Sequence, residues 1–247
     1  MSGHSKWSTI KHKKGALDKK RGKIFTKLIK EITVAAKEGG ADAELNPRLR
    51  LAVQNAKGKN MPKDTIERAI KKVAGGEAAD YLEITYEGYA SYGVAVFVEC
   101  TTDNLNRTVA AVRSVFSKGG GALGTNGSLE FIFDRKGVFS LPFPEGQDED
   151  DLTLELIDGG AEDVEVEEGN MTITSAMEDF GNMQKKLEEL SLEAENAELE
   201  RIPNTYVNLS DEDFSKVMKT IEALEDDDDV QKVFHNIEAT DTQLETL

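Results

Sequence analysis

Three segments near the amino terminus space their apolar residues at the 3.6-residue period of an α-helix. The first predicts a helix over Lys23–Glu38, with its apolar residues on one side and a stripe of lysines on the other. Asn46 followed by Pro47 has the cap and first-turn signature of a second helix. Pro62 opens a third helix, which ends at Gly75. We expect the three helices to close one small basic bundle.

Beyond Gly76 the apolar period changes from 3.6 to two, which is typical of β-strands. The pattern predicts strands at Tyr81–Glu87 and Val94–Thr101, a helix over Asn104–Lys118 and a further strand at Ser128–Phe133. This order, ββαβ, lacks one helix and one strand for a complete two-layer α/β unit.

The next segment predicts such a unit in full, in the order βαββαβ of the ferredoxin-like fold. The predicted elements are Gly137–Leu141, Asp150–Ile157, Val164–Glu167, Met171–Thr174, Glu178–Leu190 and Glu198–Ile202. The Gly159–Gly160 pair ends the first of the two helices, and a Gly169–Asn170 turn joins the two middle strands.

The remaining chain supplies the helix and strand that the ββαβ unit lacks. It predicts an extended segment at Tyr206–Leu209, a helix over Asp211–Leu224 and a strand at Val230–His235. The predicted fold is therefore α+β, with a basic N-terminal helical bundle and two ferredoxin-like α/β sandwich domains, one inserted in the other. The predicted domains are 1–75, a discontinuous domain of 76–134 with 206–247, and the inserted domain 135–205.

Charge is distributed very unevenly along this chain. The formal net charge is −17, but residues 1–75 contain 19 Lys/Arg and 7 Asp/Glu, whereas residues 76–247 contain 11 and 40. A head of net charge +12 is thus joined to a body of −29. Phosphate would be repelled by the body, so we expect contact with nucleic acid to be confined to the head.

Composition excludes several classes of protein. The one cysteine, Cys100, cannot form an internal disulfide or a CxxC metal site. No apolar run approaches the length of roughly 20 residues that a membrane span requires, and the amino terminus has no apolar signal region. We therefore expect a cytoplasmic protein without membrane contact.

Motifs for cofactors and metals are weak. Gly119, Gly121 and Gly124 fit G-x-G-x-x-G, but a helix precedes them and a strand follows, the reverse of the dinucleotide-binding order. A helix cap and a wide turn explain these glycines better. The three histidines, His4, His12 and His235, have no metal-ligand spacing. We expect no cofactor and no bound transition metal.

Three polar clusters have both a chemical and a structural interpretation. The acidic runs Asp148–Asp151 and Glu225–Asp229 could hold a hard cation, but consecutive acids diverge in direction, so solvated surface is favoured. The group Asp103–Arg107 could form a polar site at a helix start. Helix capping is favoured there, because no second carboxylate or base pairs with the group by spacing. We therefore expect no enzymatic activity.

The basic arm at residues 1–22 is the strongest functional signal. Lysines and arginines bind phosphates with salt-sensitive, sequence-tolerant affinity, and the lone Trp7 among them could stack on an unpaired base. The alternative is a solvated tail with an incidental indole. The arm has glycines and no apolar stripe, so we expect it to be extended and mobile when free.

The predicted nucleic-acid-binding residues are Lys6, Trp7, Lys11, His12, Lys13, Lys14, Lys19, Lys20, Arg21, Lys23, Lys27, Lys30, Arg48 and Arg50. Further cations extend this surface across the bundle: Lys57, Lys59, Lys63, Arg68, Lys71 and Lys72.

Several longer motifs resemble those of the YebC family, over essentially the whole chain. They lie at Gly3–Trp7, Lys20–Lys27, Asn46–Arg50, Asn60–Asp64, Tyr86–Tyr89, Asp103–Thr108 and Asp228–Gln231. The resemblance implies a helical head, two α/β domains and no catalysis.

The resemblance also implies a role in gene expression, with two competing interpretations. Bacterial members are generally labelled probable transcriptional regulators that bind DNA. A mitochondrial relative is a translational activator of cytochrome c oxidase subunit I, and other members are linked to ribosomes stalled on proline-rich chains. We expect a monomeric, DNA-binding transcriptional regulator. A translation factor that binds ribosomal RNA on the ribosome is the alternative, because no helix that would read a DNA groove is evident.

Overall fold

The computed structural model describes residues 18–245, with side chains from residue 21 onward. Eight α-helices and eight strands lie within this range. The helices are α1 (Asp18–Gly39), α2 (Pro47–Gly58), α3 (Lys63–Ala74), α4 (Leu105–Lys118), α5 (Glu149–Asp158), α6 (Phe180–Glu189), α7 (Asp211–Glu225) and α8 (Asp241–Glu245). The strands are β1 (Leu82–Tyr89), β2 (Ala95–Thr102), β3 (Ala122–Leu123), β4 (Phe133–Pro142), β5 (Ala161–Glu167), β6 (Asn170–Ala176), β7 (Asn196–Pro203) and β8 (Val230–His235).

Helices α1 to α3 pack around their own apolar core, as the periodicity predicts. Ile32 of α1, Leu49 and Ala52 of α2 and Ile66 of α3 are buried together. The Asn46 side chain caps α2 by accepting from the Leu49 amide at 3.0 Å. These contacts confirm the helical bundle.

Helix α1 begins at Asp18, five residues before the predicted start, so the prediction of an extended arm to residue 22 is wrong at residues 18–22. The Arg21 guanidinium lies 5.6 Å from the centre of the Phe25 ring, one helical turn away. Such an i,i+4 contact favours the helix over an extended chain. The predictions that concern residues 1–17 lie outside the described range.

Both sandwich units contain a four-stranded antiparallel sheet. The order β5-β6-β4-β7 in one sheet is the ferredoxin-like order, with Leu156 of α5 and Met183 of α6 buried against it. The other sheet has the order β3-β1-β2-β8, with α4 and α7 on one face. In this unit two hairpin strands, β1 and β2, precede the first helix, whereas in the other unit a helix follows the first strand. Both units nevertheless have one layer of helices on a four-stranded sheet. The α+β fold class is confirmed.

The second face of the β3-β1-β2-β8 sheet is covered by the loop between β3 and β4. Leu129, Ile132 and Phe133 pack there against Phe97. The predicted strand at Ser128–Phe133 is wrong, since this segment is a series of turns and β4 starts only at Phe133. The buried Glu87 carboxylate contributes to these turns by accepting hydrogen bonds from the Gly127 and Leu129 amides at 2.8 and 2.7 Å.

Strand pairing across long sequence separations joins the early and late parts of the chain. Strand β8 pairs with β2, so residues 230–235 complete the sheet that begins at residue 82, while β4 to β7 form the second sheet between them. This connectivity has the form of an insertion. The exact division at residues 75, 134 and 205 stays a prediction.

Candidate nucleic-acid interface and charged domain junction

The lysine stripe of α1 contacts the acidic turn that follows α7. Lys27 Nζ donates to the Glu225 carbonyl at 2.8 Å, and Lys23 Nζ donates to the Asp226 carbonyl at 2.9 Å and its carboxylate at 2.8 Å. Three residues of the predicted interface, Lys23, Lys27 and Lys30, therefore face the protein's own acidic turn. We define this contact, α1 lysines with residues 225–229, as the lysine–acid junction.

Lys30 lies deepest in the junction. Its ammonium donates to the Asp229 carboxylate at 2.8 Å and to the carbonyls of Thr101 and Asp228 at 3.0 and 2.7 Å. The side chains of Lys30 and Asp229 are only 8% and 7% exposed. A buried and fully bonded ammonium has no donor left for phosphate, so Lys30 has a structural role here and we leave it out of the proposed interface.

The Asp229 carboxylate also accepts hydrogen bonds from two residues of α4. The Arg107 guanidinium donates to its Oδ2 through Nε at 3.0 Å, and the Thr108 hydroxyl donates to the same oxygen at 3.0 Å. Burial alone would raise the pKa of Asp229, but the hydrogen bonds from Lys30, Arg107 and Thr108 lower that pKa to about 2. Asp229 is therefore charged throughout the physiological range.

The prediction of solvated surface for the acidic run Glu225–Asp229 holds for Asp226 and Asp228, which are exposed, and is wrong for Asp229, which is buried. The run follows the C-terminus of α7, where acidic residues oppose the helix dipole and backbone carbonyls lack helical partners. The ammonium groups of Lys23 and Lys27 bind those carbonyls and supply the cations that a helix C-terminus favours. Another domain therefore caps α7. The run at 148–151 behaves differently, since Asp148 caps α5 by accepting from the Asp150 and Asp151 amides.

The predicted capping role of the 103–107 group is confirmed. Asn104 Oδ1 accepts from the Arg107 amide at 3.0 Å at the start of α4. The Arg107 side chain also pairs with Asp103 at 2.9 Å. The hydrogen bonds to Asp229 and to Asp103 raise the pKa of Arg107. Sequence spacing misses the Asp229 contact, because its two residues lie 122 positions apart.

The remaining predicted cations of the head are Arg48, Arg50 and the residues at the start of α1 and before it. Arg48 is held by two carboxylates, Glu38 and Glu83, and these bonds raise its pKa against the opposing effect of burial. Arg50 is exposed and donates to the Glu44 carbonyl at 3.3 Å. Arg21 is exposed beside Phe25. Lys19 and Lys20 lie in α1 without described side chains, and Lys6, Trp7, Lys11, His12, Lys13 and Lys14 lie outside the described residues.

The outer sides of α2 and α3 present a second group of cations. Lys63 and Lys71 are 84% and 79% exposed, and each reaches Glu67 only at 3.8 and 3.9 Å. Arg68, Lys72 and Lys57 are also exposed. We define Lys57, Lys63, Arg68, Lys71 and Lys72 as the outer basic face. The members in α3 lie on the side of that helix away from Ile66 and Ala69, which enter the bundle core.

A further charged cluster joins all three units where β7 and β8 approach each other. Lys232 of β8 pairs with Glu198 of β7 and donates to the Leu199 carbonyl at 3.3 Å. Burial opposes its charge, but Glu198 and the nearby Glu31 of α1 raise its pKa. Burial also disfavours the charged form of Glu31 and therefore raises the pKa of this carboxyl group. The attraction of Lys232 offsets that rise only in part.

Arg201 of β7 closes the same junction from the inserted unit. Its guanidinium stacks 3.7 Å from the centre of the Phe97 ring and donates to Glu99 at 3.1 Å. A planar guanidinium can make both contacts at once. Arg201 therefore links β7 directly to β2.

Helix α2 docks on the inserted unit through side-chain amides. Asn55 donates to the Ala197 carbonyl at 2.9 Å and accepts from the Ala197 amide at 3.0 Å. Gln54 adds a bond to the Ala194 carbonyl at 2.9 Å. At Gly58 the backbones approach so closely that a Cβ would lie 1.8 Å from the Glu195 carbonyl oxygen. The bundle is thus fixed to both sandwich units.

Three further findings concern the described part of the chain only. Among residues 21–245, no three His, Cys, Asp or Glu side chains converge as a metal site. No helix within the described range is long and apolar enough to cross a membrane. Gly119 forms the C-cap of α4, as predicted for the glycine-rich segment.

Known proteins resemble this chain over nearly all of its length. Residues 5–76 match the family model of the TACO1/YebC protein N-terminal domain, and residues 81–237 match that of the TACO1/YebC second and third domain. A probable transcriptional regulatory protein of Amoebophilus asiaticus is 60% identical, covering 96% of this chain and 98% of the relative. One from Geotalea uraniireducens is 51% identical over the full length of both.

A solved structure supports the same assignment. The crystal structure of a conserved hypothetical protein from Aquifex aeolicus superimposes with a TM-score of 0.80 at 45% identity, covering 91% of this chain and 93% of that one. Sequence, domain order and fold agree, and the chain belongs to the TACO1/YebC family, whose curated relatives are named as probable transcriptional regulators.

Proposed function

We propose that this protein regulates gene expression by binding nucleic acid, with DNA as the first candidate, through the outer basic face and the arm that precedes α1. The observation that supports this most is the exposure of Lys63 and Lys71, which are 84% and 79% accessible and only loosely paired with Glu67. Cations that protein carboxylates do not neutralise remain available for phosphates.

The lysine–acid junction indicates which part of the basic head is accessible to nucleic acid. The α1 stripe is occupied by residues 225–229, so phosphate contacts are expected on the outer sides of α2 and α3. The sandwich units are strongly acidic and repel a polyanion from the rest of the surface. Together these charges orient the ligand toward one end of the molecule.

The proposal is tested by removing two charges from the outer basic face in the intact chain. Lys71→Ala with Lys72→Ala should weaken binding to duplex DNA and reduce the slope of log affinity against log salt by about 2. The matched control is Lys118→Ala with Lys185→Ala, which removes two exposed cations from the acidic body. Equal effects of the two pairs would contradict the proposed interface.

A second candidate is translational regulation through ribosomal RNA, which Trp7 in the basic arm favours. An indole stacks on unpaired bases, and duplex DNA offers none. Trp7→Ala should then weaken binding to single-stranded or looped RNA by about 1–3 kcal/mol and leave duplex binding nearly unchanged. Equal losses on both ligands would exclude stacking, and a loss on duplex alone would favour transcription.

We propose that this role requires no catalysis. The polar residues nearest to a site-like arrangement, Asp103 and Arg107, serve to cap α4 and to bind Asp229. Incubation of end-labelled DNA and RNA with the protein should leave both intact. Cleavage that Asp103→Asn abolishes would overturn this part of the proposal.

A further inference from the structure

We infer that the acidic turn 225–229 is an internal competitor of nucleic acid for the α1 lysines, so that the lysine–acid junction limits the affinity of the basic head. This inference rests on the proposed function and concerns the regulation of the same basic surface. It identifies the protein's own carboxylates and helix-end carbonyls as the groups that phosphate must displace.

The junction changes in character from its outer to its inner end. At the outer end Lys23 is 34% exposed and Asp226 is 74% exposed. At the inner end Lys30 and Asp229 are 8% and 7% exposed. Solvent and ligands reach the first pair and are excluded from the second.

Phosphate oxygens can replace the groups that the outer lysines bind now. Lys23 Nζ has two oxygen partners at 2.8 and 2.9 Å, both from Asp226. A phosphodiester presents a comparable pair of oxygens and carries a full negative charge. An ion pair that solvent reaches contributes little to stability, so phosphate can displace it.

The inner pair should stay closed during this exchange. Asp229 is bonded to Lys30, Arg107 and Thr108, and separating it from Lys30 would leave buried charges without a partner. The Lys30–Asp229 contact therefore acts as the fixed end of the junction, and Lys23 becomes available at its open end. Binding adds a phosphate contact without detaching the bundle.

Two single substitutions in the same turn test the inference. Asp226→Asn removes the carboxylate that binds Lys23. Asp228→Asn removes an equal charge from an exposed residue whose backbone carbonyl, rather than its carboxylate, bonds to Lys30. With a short duplex DNA and a single-stranded RNA of equal length as probes, Asp226→Asn should tighten binding about two- to fivefold more than Asp228→Asn does.

A double substitution separates competition from general charge effects. In a Lys23→Ala background, Asp226→Asn and Asp228→Asn should have the same effect on affinity, because the lysine that is released is absent. Equal effects in the wild-type background would overturn the competitor model while leaving the proposed function intact. If the wild-type chain binds neither probe and Asp226→Asn does not restore binding, both proposals fail.

Discussion

Lys30 and Asp229 are 199 residues apart in sequence, yet their charged groups meet at 2.8 Å in a buried site. One residue lies in the first described helix and the other precedes the last strand. Their contact joins the basic head to the acidic body at the place where α7 ends. Beside it, Lys23 and Lys27 supply the cations that a helix C-terminus favours.

Loss of the Lys30 ammonium should destabilise the protein strongly. Lys30→Met keeps the apolar stem but leaves Asp229 buried with fewer donors, so the free energy of unfolding should fall by about 3–5 kcal/mol. Denaturant unfolding measures this change. The control Lys57→Met replaces an exposed lysine in α2 and should alter stability by less than about 0.5 kcal/mol. Similar values for the two variants would contradict a structural role for Lys30.

Stability should also depend on the ionisation of Asp229. Its pKa is lowered to about 2 in the folded protein, whereas an unfolded aspartate titrates near 3.9. The stabilisation from its charge is therefore complete above about pH 4 and is lost as the pH falls toward 2. Unfolding measured from pH 6 to pH 2 should show this loss, and Asp229→Asn should remove the corresponding part of the pH dependence. An unchanged profile in that variant would contradict the assignment.

The ionisation of Glu31 should change the free energy of unfolding in the direction opposite to that of Asp229. Burial raises the pKa of Glu31, so its charge destabilises the folded state at neutral pH, and the penalty disappears below the unfolded value of about 4.3. Glu31→Gln should raise the free energy of unfolding at pH 7 and have little effect at pH 4. A lower free energy of unfolding of this variant at pH 7 would contradict the prediction. It would show that the attraction between Glu31 and Lys232 outweighs the unfavourable burial of the Glu31 charge.

Gly58 should not tolerate a methyl group. Gly→Ala within a helix is generally stabilising by about 0.5–1 kcal/mol, but a Cβ here would lie 1.8 Å from the Glu195 backbone oxygen. Gly58→Ala should therefore destabilise the contact between α2 and the inserted unit, and denaturant unfolding should detect it. Gly22→Ala is the matched control, because nothing lies within 4 Å of its Cβ position. It should show the ordinary stabilisation.

The loop before β4 should depend on Glu87. Glu87→Ala removes the acceptor of the Gly127 and Leu129 amides, so hydrogen exchange at these two amides should accelerate. Glu130→Ala, in the same loop and exposed, should leave both rates unchanged. Retained protection in Glu87→Ala would mean that the packing of Leu129 and Phe133 alone holds the loop.

Local patterns in the sequence were sufficient for most elements. Apolar spacing and the Asn46–Pro47 cap predict α2, and the βαββαβ order predicts the ferredoxin-like unit, because helix and strand periods depend on neighbouring residues only. The hydrogen bonds of Glu87 are different. They hold the Gly127 and Leu129 amides within a series of turns, although the apolar content of residues 128–132 favours a strand. No local signal in the sequence indicates these bonds.

The sequence by itself determined the charge asymmetry, the helical head and the α/β layers. Only the tertiary structure decided which cations remain available. Lys23, Lys27 and Lys30 share a basic stripe that the sequence predicts to bind nucleic acid, but the turn after α7 occupies it, while Lys63 and Lys71 stay exposed. A lysine's partner depends on the packing of whole units, and electrostatic energy depends on distance and burial in space rather than on separation along the chain.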